Sequence, residues 1–500
     1  MRERGRIVAI GALALVAGAG PLRAQGYSLH VDLQAQTYAF RGLKSDSVRS
    51  DSVITNPDGS LISPGGHPVI CPGNSASYCD FFLAGPRIDA IPLVGQVDAN
   101  LWGLGVPGLR LHASARVSGQ AGDPDAVAGT TPAFQLMEGY AEYVRDWLSG
   151  RLGRQFVTGR LGYTGFDGGM IRAQSYHLGL GVTGYVGRGL AQGTFVTPSN
   201  PIINPLDQWQ PAKGMIVAGG SVDWTSPRVD SRFDYEREVD NDTHGFVAER
   251  IALTAMGRLT PRWGIEGGAD YDLSYGEVNK ADLTLRYSDP RFSASAGVRR
   301  YRPFFDLWTI WGAFSPTPYS AANAALTVEA TSRLEVRGSI EYFWYGDTFT
   351  DAPLVTVQDD GWRSTVAAGY RFSPAWSADA TFEVDRGPGA ASNYLQGQVR
   401  WQARSDLKLG AHLGTVSRPL EFRYNSAGLF WTGVEGEYQA GSRVTLSLLA
   451  DWLRDEQTEP DVGDFTWSQL RLSLKASWFL TSAADFERLP KALPRRPPPQ

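Results

Sequence analysis

The residues of this chain that could do chemistry are charged, and they recur at every second position. In the stretch Arg333 to Tyr345, Arg333, Glu335, Arg337 and Glu341 alternate with Leu334, Val336, Ile340, Tyr342 and Trp344. Successive side chains of an extended strand point to opposite faces, so the stretch has one face of cations and carboxylates and one oily face. The charged face has two uses: it can orient polar solutes in water, or it can pair with neighbouring strands and stiffen a wall. The same arrangement recurs in 375–386, where Asp379 and Glu383 oppose Trp376 and Phe382, and in 109–117, where Arg110 and Arg116 oppose Leu109 and Leu111. Arg110, Arg116, Asp270, Lys280, Arg333, Glu335, Arg337, Glu341, Asp379, Glu383 and Arg400 are therefore the candidate lining residues of a polar interior. Their signs are nearly balanced, which predicts no strong anion or cation selectivity.

Other chemistries find less support. The six histidines, at 30, 67, 112, 177, 244 and 412, are scattered, and neither HExxH nor GxSxG occurs, so no enzymatic activity and no catalytic residue is expected. The Gly-rich run Tyr163 to Met170 lacks the strand-to-helix setting of a phosphate cradle and reads as a loop. CxxCH is absent, so no covalent haem is expected, and neither is any other cofactor or a metal. Cys71 and Cys79, the only cysteines, lie in a Pro/Gly/Asn/Ser-rich segment and are expected to form a disulfide if the chain is exported.

The elements that must carry these residues are strands. Half-oily alternation returns near 264–273, 279–287, 395–403, 407–415, 443–453 and 470–478, and helical periodicity dominates no comparable window. Short turns marked by Pro, Gly, Ser and Asp alternate with longer connections. The short ones include 107–108, 146–147, 187–189, 226–228, 260–262 and 441–442; the long ones include 42–91, 119–133, 158–174, 198–213, 303–321 and 346–361. The expected fold is all-β: a single large antiparallel transmembrane β-barrel of about 22 strands, 20 being the other count, with both termini on the short-turn side in the periplasm. A barrel is required because so many half-oily strands must close on themselves or aggregate.

Domain limits follow. Residues 1–24, with a basic start and an apolar run ending in small residues, read as a cleaved signal peptide. The barrel is expected over 25–480, with 42–91 as a disulfide-containing loop that either folds inward as a constriction or stays an ordinary extracellular loop. Residues 481–500 are a Pro-rich periplasmic tail. Loss of Arg2, Arg4, Arg6, Arg23 and Glu3 with the signal leaves 43 basic and 51 acidic residues, a net charge of −8, which argues against a nucleic-acid partner. The unusually apolar connection 303–321 is left with four readings: a plug, a greasy entrance, a partner contact or a further hairpin.

The tetrapeptide Leu152-Gly153-Arg154-Gln155 within GRLGRQF, together with a last strand ending in Trp478-Phe479, resembles the Gram-negative outer-membrane porin-like barrels over roughly residues 26–480. That resemblance implies a location in the cell outer membrane, with its lipid as the surrounding partner. It implies a passive channel for polar solutes. The second reading is a barrel that resembles porin-cytochrome conduits and houses or docks a separate multihaem cytochrome. The chain departs from the family pattern in continuing past the terminal aromatic.

Overall fold

The computed structural model describes residues 26–57, 59–73, 77–122, 134–190, 215–241, 245–302, 318–346, 359–387, 390–417, 426–459 and 466–482. The expected signal peptide, nearly all of the Pro-rich tail and most of the connection 303–321 lie outside the described residues.

The wall opens with β1 (Gly26–Arg49) and β2, a strand interrupted only at Ile91 between Tyr78–Ala90 and Pro92–Trp102. There follow β3 (Leu109–Gln120), β4 (Phe134–Arg145), β5 (Leu148–Gly159), β6 (Gly162–Ser175) and β7 (Leu180–Gly189). Next come β8 (Met215–Thr225), β9 (Val229–Asp240), β10 (Phe246–Arg258), β11 (Trp263–Asp272) and β12 (Glu277–Ser288). The run continues through β13 (Phe292–Tyr301), β14 (Tyr319–Glu329), β15 (Leu334–Tyr345), β16 (Asp360–Ser373) and β17 (Trp376–Gly387). It ends with β18 (Ala390–Arg404), β19 (Leu407–Ser417), β20 (Ser426–Gln439), β21 (Val444–Glu459) and β22 (Trp467–Thr481).

Every strand pairs antiparallel with its sequence neighbours, and β1 closes the ring by pairing Ser28–Thr37 with β22 on one edge and Gly26–Ala35 with β2 on the other. The product is one closed 22-stranded barrel, as the alternation predicts. Closure satisfies the backbone groups that an open edge would leave bare in lipid. β1 begins and β22 ends at the short-turn rim, where Tyr27 is hydrogen-bonded to Ser482.

The two faces have separated as the sequence requires. Ile340, Val366, Phe382, Leu395, Leu413 and Val434 are all exposed on one face, while their alternate neighbours are polar or small. An apolar surface of that extent is stable only against hydrocarbon. Tryptophans ring it at two levels: Trp224, Trp263, Trp376 and Trp401 near the short turns, and Trp344, Trp362 and Trp452 near the long connections. Such paired belts mark the two interfaces of a bilayer. Trp431 and Trp467 fall on the polar face, at odds with the belts and in keeping with their strand phase.

Three connections differ from the sequence reading. Residues 158–174 are not a long connection. β5 and β6 meet at a two-residue turn, Arg160-Leu161, so Tyr163 to Met170 is strand. The short corner assigned to 187–189 is instead the turn 176–179. The glycines mislead because they leave faces without side chains. They serve close contact: a Cβ on Gly168 would stand 2.2 Å from the Val186 carbonyl oxygen. Residues 42–91 are also more regular than a loop, because β1 continues to Arg49 and pairs with Tyr78–Ala90 above the wall. The Cys71–Cys79 disulfide is formed there.

Candidate functional site in the barrel interior

The hairpin of β5 and β6 departs from the wall before it turns. β4 pairs with β5 only as far as Arg154, and β7 pairs with β6 only from Phe166. The tip between, residues 155–165, keeps its own ladder but has lost its neighbours. The positive φ of Gly162 and the bare Gly159 make the tight turn at Arg160-Leu161.

The tip is fastened to strands three to six places further round the barrel, which sends it across the interior. Arg160 is the anchor: its Nη2 donates to the Gly268 carbonyl at 2.9 Å and to Asp282 Oδ1 at 2.5 Å, and its Nε stands 3.6 Å from Asp270 Oδ1. Arg250 is the second anchor. It donates to the Leu161 carbonyl at 3.0 Å and to Glu236 Oε1 at 2.8 Å. Glu236 also accepts from Thr164 Oγ1 at 2.5 Å and from the Tyr185 hydroxyl at 3.0 Å. These side chains are nearly dry, with Glu236 4% exposed, Arg160 9% and Arg250 10%. At such burial an ion pair must be met on both sides, because a lone charge left there is strongly destabilising.

Apolar packing completes the joint. Phe166, Leu190, Met215, Val217, Ala248 and Ala252 are buried, and Phe166 stacks on Tyr185 at 5.2 Å. On the hairpin itself Phe156 stacks on Tyr163 at 4.7 Å. Tyr163, Thr158 and Gly159 stay exposed. Among the described residues, hydrogen bonds and ion pairs reaching three or more strands round the ring belong to this hairpin.

Elsewhere the polar face is an open ladder. Glu341 accepts from Arg299 at 2.7 Å and faces Arg363 at 3.7 Å; Arg337 meets Glu335 at 3.2 Å; Arg400 meets Asp379 at 3.2 Å; Lys408 meets Glu437 at 2.8 Å. The cations of the last three pairs are more than half exposed. His412 and Asp451 meet at 2.8 Å, and His112 lies 2.9 Å from Glu138.

The sequence-selected residues thus divide. Glu335 with Arg337, and Asp379 with Arg400, are brought together, while Glu341 finds partners on β13 and β16. Asp270 belongs to the hairpin anchor and stands opposite Lys280 in register. Arg116 donates to Gln135 at 2.5 Å. Arg110 stands opposite Glu142, and Glu383 opposite Tyr394. Arg333 lies in the short turn, its carbonyl accepting from Arg371 N at 2.8 Å. Arg160, Glu236 and Arg250 were missed. A signal existed for Glu236 in the alternation of Arg232, Asp234, Glu236 and Glu238, but Arg160 sat inside an apparent loop. Among the described residues, no three His, Cys, Asp or Glu side chains gather to hold a metal ion.

A closed barrel with a lipid-facing exterior, two aromatic belts and a charged interior is a channel-like outer-membrane barrel. No family model matches the chain, and no curated protein matches it. Solved outer-membrane barrels are similar to it in outline. The ferric yersiniabactin uptake receptor FyuA of Yersinia pestis aligns over 91% of this chain and 80% of its own, at 12% identity and a TM-score of 0.44. OccAB1 of Acinetobacter baumannii aligns over 91% and 97%, at 8% identity and a TM-score of 0.38. A BenF-like porin of Pseudomonas fluorescens aligns over 91% and 99%, at 9% identity and a TM-score of 0.37.

Proposed function

We propose that this protein is a passive outer-membrane channel for polar solutes, with both termini in the periplasm and a lumen narrowed by the hairpin tip 155–165. The observation that carries the reading is the contrast between that tip, anchored by dry ion pairs along β9–β12, and the half-exposed charge ladder on β15–β20. A wet, sign-balanced wall suits polar solutes without selecting strongly for one charge. The ladder residues Glu335, Arg337, Glu341, Asp379, Glu383 and Arg400 then line the open side, and Asp270 and Lys280 stand at the constriction. Constriction thus falls to the β5–β6 hairpin, while the disulfide-bearing segment 42–91 extends the wall. A tip that occupies one sector of the interior also favours a solute channel over a sheath for a multihaem cytochrome.

Reconstitution in planar lipid bilayers tests the proposal. Stable, stepwise, ohmic conductance is the expected result. Absence of conductance from protein whose gel migration is heat-modifiable, and therefore folded as a barrel, would overturn it.

A further inference from the structure

We propose that the wall facing the hairpin carries a saccharide-binding shelf, built on Trp431 and Tyr394; this rests on the channel reading and names the solute class. β20 lies eight to eleven strands from β9–β12 in a ring of 22, which puts Trp431 on the far side of the barrel from the hairpin's anchorage. The two rings lie 5.7 Å apart with their planes at 35°, so together they form a shallow angle rather than a flat plate.

The strand between them is cut away to receive the indole. Gly414 stands between Gln396 and Trp431 in register, and a Cβ there would lie 2.2 Å from Trp431 Cζ2. The indole therefore packs over the backbone of β19 and stays part-exposed. Leu453 stands opposite Trp431 in register on the same face and extends this apolar surface. One step toward the short turns runs a polar row: Gln398, His412 and Asp451 are in register with Gly433 between the last two. His412 is held by Asp451 at 2.8 Å, and Gln398 donates to Glu435 at 3.0 Å.

An aromatic face bordered by amide, imidazole and carboxylate groups suits a ligand with one apolar face and a rim of hydroxyls. A pyranose ring has that form. The charges of the row are already partnered, so the shelf offers hydrogen bonds without a strong field and favours a neutral solute over an ion.

The test uses the full-length barrel in planar bilayers with maltohexaose, and with spermidine and a polyethylene glycol of similar size as controls. Maltohexaose is expected to interrupt the current reversibly and saturably at concentrations where the glycol does not. Trp431→Ala is expected to raise the half-blocking concentration about tenfold, or ~1.4 kcal/mol of binding, with the open conductance retained. Trp431→Phe should recover part of the loss. Block by spermidine alone, equal block by sugar and glycol, or an unchanged response of Trp431→Ala would each overturn the shelf while leaving the channel reading standing. If the barrel does not conduct, the channel reading fails by itself. Calorimetric titration of the detergent-solubilised protein then decides the shelf: saturable heat lost in Trp431→Ala supports it, and no heat overturns it.

Discussion

Two sectors of the same wall, β9–β12 and β15–β20, are written in the same alternating code and end in opposite physical states. In the first, the hairpin tip covers the part of the polar face nearer the long connections, where Glu236, Arg250 and the tip's own Arg160 are at most 10% exposed, while Arg286 nearer the short turns stays 59% exposed. In the second nothing described covers it, and Arg337, Arg400 and Lys408 are more than 50% exposed. Charge type does not decide the difference, since both sectors pair arginine with carboxylate. Coverage does: a buried pair is an interlock whose halves depend on each other, whereas a wet pair contributes little and is screened by salt.

The sharpest way to break the comparison is to remove one half of a pair in each sector. Glu236→Ala leaves Arg250 buried without its carboxylate and takes the acceptor from Thr164 and Tyr185, and it is expected to cost about 3–5 kcal/mol. The loss should appear as a lower midpoint in heat-modifiable gel migration, together with a larger conductance as the tip loosens. A smaller effect is expected outside both sectors. Replacing Cys71 and Cys79 together by serine removes a cross-link between residues 8 apart. Chain entropy assigns such a closure about 2.5 kcal/mol. The change should show as faster proteolysis within 50–80 with conductance unaltered, whereas altered conductance would return the constriction to 42–91. The smallest effect belongs to the open sector: Arg400→Ala should change stability by less than about 1 kcal/mol. It should instead move ion selectivity measured as reversal potential, more at low salt than at high.

How far the sequence could be read follows the same division. Strands such as Leu334–Tyr345 were legible because one face meets hydrocarbon and the other water, and that boundary condition writes a period of two into the residues. The belts were legible because Trp344, Trp376 and Trp401 obey that phase near turns. The hairpin was not, because residues 155–165 meet protein on one face and the lumen on the other. Gly159 lies against the Asp234 carboxylate and Gly165 against the Phe156 ring, Gly162 takes a positive φ, and Gly168 lies on the backbone of Val186, so none of the four carries a face. Arg160 could not be placed locally, since its partners Gly268, Asp270 and Asp282 are more than 100 positions away. On the open wall, Glu335 and Arg337 were legible as a pair two residues apart, while the partners of Glu341 on β13 and β16 required the register.

The central claim is that an open barrel is narrowed by one anchored hairpin. The most direct measurement is the single-channel conductance of the native protein beside Arg160→Ala, whose side chain joins the tip to β11 and β12 through Gly268, Asp270 and Asp282. The account predicts stable conductance in the native protein and a clearly larger, noisier conductance in the variant, with barrel folding retained by gel migration. Equal conductance in two folded proteins would contradict it.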